Sequence, residues 1–177
     1  LIKYREYINK SKMLTLVPWA AGTPITRYPS TEDNYVFRLS VDDSKVGKIL
    51  VNYALEQQCN QPHLMLENTG WGKSNYKAMI SALPEDLAER VKTSWFDWGI
   101  KDVDARILIR EAQSSGGDCV LLVANSREGK LIVESVADVG IKMPIYSHWG
   151  ITGGKFAQNV PFPIRCLLYT SPSPRDN

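Results

Sequence analysis

The sequence has no apolar run approaching the roughly 20 residues that a membrane-spanning helix needs. It has almost no excess of either charge. Lys and Arg number 21 and Asp and Glu 19, for a formal net charge of +2. That leaves no electrostatic footprint for nucleic acid or for an acidic membrane surface. Histidine occurs only at His63 and His148. Cysteine occurs at Cys59, Cys119 and Cys166, which have no metal-ligand spacing and make no even disulfide set. Cys119 stands in an apolar run and reads as a buried thiol. There is no nucleophile elbow and no carboxylate pair with a catalytic partner. The expectation is therefore a protein that is not an enzyme, with no metal and no cofactor. No signal-peptide pattern opens the chain. That excludes nothing, because Leu1-Ile2-Lys3 reads as the interior of a helix, and a partial chain is expected.

What is present is an ordinary globular composition, 44% hydrophobic and 23% charged over 177 residues, enough for one domain with a real core. Residues 2–9 read as the end of a helix with Tyr4, Tyr7 and Ile8 on one face. A short strand at 13–17 ends at Pro18. The Gly-, Thr- and Pro-containing stretch 19–33 is a loop. In 35–40, Tyr35, Phe37 and Leu39 alternate with Val36, Arg38 and Ser40, as in a strand. Asp42 and Asp43 offer N-cap oxygens to a helix whose apolar face is Val46, Ile49, Leu50, Tyr53 and Ala54.

A regular series follows. Strands are predicted at 63–67, 91–97, 119–124 and 144–148. Between them lie helix faces at Tyr76, Met79, Ile80 and Leu83, at Ala105, Leu108, Ile109 and Ala112, and at Ile132, Val136 and Val139. Ser74 and Ser126 read as helix caps, as do Asp102 and Asp104, and Gly140 as a C-terminal stop. The near-constant spacing is that of βα units, so the fold class is α/β with a doubly wound parallel sheet. The nearly all-apolar 119–124 suits a strand covered on both faces. Residues 171–177 have no apolar period, and from about 165 the tail reads as foreign to the protein.

Ligands of open α/β sheets bind beyond the carboxyl ends of the strands. Those ends are 68–72, 98–101, 125–127 and 147–150, with 18–23 from the upstream unit. Three tryptophans lie at the first four of these and Trp19 in the upstream loop, suited either to a cleft around a small solute or to capping the end of the core. Gly70-x-Gly72-Lys73-Ser74 has the position of a phosphate loop, but Glu67 and Asn75 stand where the Walker and dinucleotide patterns need glycine. A Rossmann-like nucleotide enzyme is therefore a minor alternative. His63 reads as a structural histidine inside a strand. His148, at a strand end, could hydrogen-bond a ligand.

The order of helix, strand 13–18, small-residue loop, Tyr35-Val36-Phe37-Arg38, Asp42-Asp43-Ser44-Lys45-Val46-Gly47 and a strand ending near Trp71-Gly72 resembles the type I periplasmic solute-binding proteins of ABC importers. The branched-chain amino-acid-binding branch is the nearest in kind. The resemblance covers residues 1 to about 160. It implies a remnant of lobe one at 1–38, a hinge crossing at 39–43, lobe two at 44–160 and an unstructured tail at 161–177. It also implies a periplasmic or otherwise extracytoplasmic location, a small polar or amino-acid-like ligand trapped by hinge closure, and an ABC permease as partner. The same fold also serves as the sensory ectodomain of receptors. In this family the loop at 19–23 would offer backbone groups and a small hydroxyl to a ligand carboxylate, and Trp71 would cover the ligand. Asn125 stands where the family has an aromatic, and Trp149 where it has the acid that pairs with an amino group. The expected ligand shell is Trp19, Ala20, Ala21, Trp71, Asn125 and Trp149. Its aromatic lining suits a less charged or more planar solute than an α-amino acid.

Overall fold

The structure, a computed structural model, describes residues 1–27, 34–147 and 149–153, and the backbone of 168 and 169. A two-stranded parallel sheet pairs β1 (Thr15–Val17) with β2 (Val36–Arg38), and helix α1 (Arg5–Lys10) precedes it. The second sheet has strand order β4-β3-β5-β6-β7. Here β3 is Pro62–Glu67, β4 Lys92–Phe96, β5 Cys119–Val123, β6 Ile145–Ser147 and β7 Leu168–Tyr169. Every pairing is parallel. The connecting helices are α2 (Asp43–Glu56), α3 (Gly70–Ile80), α4 (Glu85–Arg90), α5 (Asp102–Ser114) and α6 (Ser126–Val139). The four predicted strands are present at the predicted places. β7 lies inside 161–177, which the sequence reading leaves unstructured; the rest of that stretch lies outside the described residues.

β5 shows why the sheet is doubly wound. Its side chains alternate between two cores, and all five residues are buried. Leu121 and Val123 pack with Leu64, Leu66 and Leu50 beneath α2 and α3. Val120 and Leu122 pack with Met65, Ile109 and Ile132 beneath α5 and α6. Each such side chain contributes about 1.5–3 kcal/mol of burial, so an apolar run here is required on both faces.

Several local details differ from the sequence reading, each for a packing reason. On α2 Ile49 is exposed, and the buried seam is Val46, Gly47, Leu50, Val51 and Ala54. It is rotated because Gly47 lies against α3, where an added Cβ would stand 2.9 Å from the Ala78 Cβ. Tyr4, just before α1, and Tyr7 on it are exposed, while Arg5 and Ile8 turn inward. β2 buries Val36 against Ile8 and Ile25 and leaves Phe37 exposed, the reverse of its more apolar-looking face. The cap of α3 is Thr69, whose hydroxyl accepts from Gly72 N at 3.2 Å, and not Ser74. The N-cap of α6 is Asn125, and not Ser126. Asp104 receives Lys101 N–H at 2.9 Å, as a capping residue should. Gly140 closes α6 at φ +73°, the left-handed conformation glycine adopts most readily.

Cys119 is not a free thiol. It forms a disulfide with Cys59, with Cα atoms 5.7 Å apart. The two residues lie 60 apart in sequence, so no local spacing pattern reveals the pair. His63 is fully structural: Nε2 lies 2.7 Å from Ser94 Oγ and Nδ1 3.1 Å from Ser115 Oγ. Burial lowers its pKa, against the pull of Glu111.

Candidate functional site

The site begins with the crossing between the two sheets. Asp42 caps α2 by accepting Ser44 N–H at 3.0 Å. It is also paired with Arg38 and accepts from the Thr23 hydroxyl. Burial works to raise its pKa, but the hydrogen bonds from Thr23, Ser44 and Arg38 prevail and hold it well below the usual carboxylate range. Arg38 Nη1 donates to the carbonyls of Ala21 (2.7 Å) and Gly22 (3.0 Å). Ser40 Oγ donates to Ala20 O at 2.9 Å, and Asp43 N to Ala21 O at 3.1 Å. The loop after β1 is thus fastened to the crossing through its carbonyl oxygens.

Between this loop and the carboxyl ends of β3, β5 and β6 lies a cavity of about 270 Å³. All six expected ligand residues line it: Trp19, Ala20 and Ala21 from the loop, Trp71 from the start of α3, Asn125 after β5, and Trp149 after β6. Trp149 is also buried in the core beneath α2, so it seals the sheet end as well as facing the cavity. Trp19 is largely exposed. Thr23 does not line this cavity; its hydroxyl is turned to Asp42 instead. His148 lies outside the described residues.

No described lining residue carries an ionisable side chain. Two buried carboxylates stand behind the wall instead. Trp71 Nε1 donates to Asp43 Oδ1 at 3.2 Å. Asp43 is fully buried, and burial pushes its pKa up to about 6, against the pull of Asn75, Trp71 and Arg38. Glu67, also fully buried, accepts from the backbone N–H and the side-chain amide of Asn125 and from Trp98 Nε1 at 2.9 Å. Sequence reasoning passed over both roles. The available signal was a lone carboxylate closing the buried run Leu64-Met65-Leu66-Glu67.

The glycine loop has a packing explanation. A Cβ on Gly72 would stand 1.8 Å from the Glu67 carbonyl oxygen, so α3 starts this close to β3 only with glycine there. Cys59, Asp118 and Cys119 bring potential metal-binding atoms within 4.8 Å of one another. The two sulfurs are bonded to each other, and the Asp118 oxygens accept Asn60 and Gln61 N–H at 2.8 and 2.9 Å, which accounts for the group structurally.

No known family's sequence model and no curated protein matches the chain. Solved structures do. One is the solute-binding protein of an ABC transporter from R. palustris in complex with benzoate, at TM-score 0.71 and 16% identity, over 82% of this chain and 39% of that one. A leucine-binding protein from Thermotoga maritima matches at TM-score 0.69 and 16% identity, over 83% of this chain and 41% of that one. An ABC transporter substrate-binding protein from Desulfitobacterium hafniense, in complex with Leu, matches at TM-score 0.59 and 18% identity, over 83% and 43%. The chain therefore spans about two fifths of the length of the structures it resembles. Its parallel sheets and their connections are, over that part, the type I periplasmic solute-binding-protein fold.

Proposed function

We propose that this chain is part of an extracytoplasmic solute-binding protein that closes two lobes around a small planar solute and presents it to an ABC permease. The observation that carries the reading is the cavity. It sits where an open α/β sheet binds ligands, and its opposite wall comes from the β1–β2 unit across the crossing. The lobes in this reading are 1–38 and 44–160, with 39–43 as the hinge. The Cys59–Cys119 disulfide agrees with an oxidising, extracytoplasmic compartment.

The chemistry of the wall narrows the solute. The carbonyls of Ala20, Ala21 and Gly22 are held by Ser40, Arg38 and Asp43. In a planar trans peptide the next N–H points the opposite way, so those of the lining residues Ala21 and Gly22 are directed away from the crossing. Such N–H groups suit a carboxylate. No described lining residue offers a carboxylate to an ammonium group, whereas Trp19, Trp71 and Trp149 suit a flat ring. An aromatic carboxylate fits these features better than an α-amino acid.

Calorimetric titration of the 177-residue chain with benzoate and with leucine tests this. Benzoate is expected to bind more tightly. Tighter leucine binding, or none with either, would defeat the reading. A second use, as the ligand-sensing ectodomain of a receptor, has one neighbour in its favour. An extracellular ligand-binding receptor from Verminephrobacter eiseniae matches at TM-score 0.59 and 13% identity, over 83% of this chain and 41% of that one.

A further inference from the structure

Asn125 lines the cavity, and the two ends of its amide differ in chemistry: the oxygen accepts and the nitrogen donates. Nδ2 lies 3.0 Å from each oxygen of Glu67. The Asn125 backbone N–H donates to the same carboxylate. Trp98 Nε1, reaching in from the loop after β4, completes a ring of N–H donors around it. That loop is tied down a second time, since Gly99 N donates to the buried Glu128 at 3.0 Å.

A carboxylate accepts and cannot donate, so the amide has one tolerable orientation. Turned over, Asn125 Oδ1 would stand against two oxygens of the buried Glu67 carboxylate, which is costly. With the nitrogen spent on Glu67, Oδ1 is what the side chain has left to offer. Among the described lining residues it is also the only side-chain acceptor, since the others are aliphatic, glycine, proline or tryptophan.

We infer that Glu67 is a positioning residue that fixes the Asn125 amide with its oxygen toward the cavity, and so imposes a hydrogen-bond donor on the solute. The inference rests on the cavity being the solute site. It adds a polar requirement at the lobe-two wall, opposite the N–H groups of the 20–23 loop. The favoured class is a planar carboxylate carrying an N–H or O–H group on its far side.

Matched probes separate this from simple packing. The aminobenzoates (3- and 4-) and the corresponding methylbenzoates have nearly the same shape, but only the former donate. Titrated into the 177-residue chain, the better aminobenzoate isomer should bind roughly tenfold more tightly than its methyl counterpart, the upper range for one net hydrogen bond. E67Q offers Asn125 a donor as well as an acceptor, which frees the amide to turn. The ratio should then fall to near one while the methyl probe still binds. N125A removes the acceptor, leaves Glu67 the Asn125 backbone N–H and Trp98 Nε1 as donors, and should abolish the ratio too. Equal affinity of the two probes for the unmodified chain would overturn the inference. So would an undiminished ratio in E67Q or N125A, with both probes weakened alike, because Glu67 and Asn125 would then be merely structural. Failure of the unmodified chain to bind any of the four benzoates would overturn the solute-site reading and this inference with it.

Discussion

The two sheets of this molecule share a parallel design and differ in what covers them. In the five-stranded sheet, β5 is sandwiched between two pairs of helices and exposes nothing. In the two-stranded sheet, one side packs Val36 on Ile8 and Ile25. The other presents Leu14 (67% exposed), Leu16 (58%), Phe37 (50%) and Leu39 (71%), with no cover among the described residues. A soluble monomer rarely leaves so contiguous an apolar face in water. The same strand chemistry thus yields a stable core in one place and a liability in the other. Layers on both faces make the difference.

The largest test of this contrast is the covalent tie in the well-covered part. Cys59→Ser together with Cys119→Ser should lower stability by about 4 kcal/mol, the loop-entropy value for a loop of this size. Urea denaturation of oxidised chain and double variant measures it, and a loss below about 1 kcal/mol would show that the noncovalent core alone holds this region. Leu121→Ala, at the centre of β5, should cost about 3 kcal/mol, as a fully buried leucine does. The same denaturation curve reports it.

Asp43, between the two regions, gives a pH signature. Its folded pKa of about 6 exceeds the ordinary value of 3.8. Between those values the folded chain holds a proton that the unfolded chain has released, so Asp43's contribution makes stability fall as pH rises from about 4 to about 6. Asp42 acts in the opposite sense. Its depressed pKa adds stability above about 3.8 that is lost as pH falls below that value. Asp43→Asn keeps an oxygen for Trp71 Nε1 and should flatten the slope in the 4–6 window, as read from thermal midpoints across that range.

Trp71→Ala should weaken benzoate binding at least about tenfold, the effect of removing a desolvated aromatic anchor. The melting temperature should change little. A lowered midpoint with unchanged affinity would instead make Trp71 a plug for the sheet end. The smallest expected effect is in the thinly covered sheet. Leu16→Ala should change stability by less than about 0.5 kcal/mol while slowing aggregation by light scattering. Residues 1–27 should show weak hydrogen-exchange protection in the same preparation. Strong, uniform protection there would break the contrast between the two sheets.

The sheet was legible because its signal is local. Apolar runs of strand length recur at near-constant spacing, and the physical demand they answer, burial on two faces, reads directly from side chains such as those of β5. Strand-end topology marked the segments that hold the six cavity residues, since strand ends converge in space wherever they fall in the chain, and the family resemblance picked the six within them. What escaped was pairwise and distant. Cys59 and Cys119 are 60 residues apart, and Glu67 and Asn125 are 58 apart. Neither pair has a spacing that distinguishes it from chance. Ile49 on α2 was misassigned and Val51 passed over because Gly47 lets α3 approach and rotates the buried seam, a tertiary effect invisible in a helical period. Thr69 and Asn125 displaced the expected caps by a few residues for a like reason: the turn into each helix is set by the strand end before it.

The Cys59–Cys119 bond has one more consequence. It closes a covalent ring that contains β3, α3, α4, β4 and α5. Within the ring, the turn at Trp98 and Gly99 is exposed, with Trp98 at 69%. A chymotryptic cut there would open the ring without releasing either half. On a denaturing gel the nicked chain should migrate as a single species until a reductant is added, and then separate into two. The stretch bearing Glu67 and Trp71 and the stretch bearing Asn125 and Trp149 would stay joined across the break, by a tie at the end of the sheet opposite the cavity.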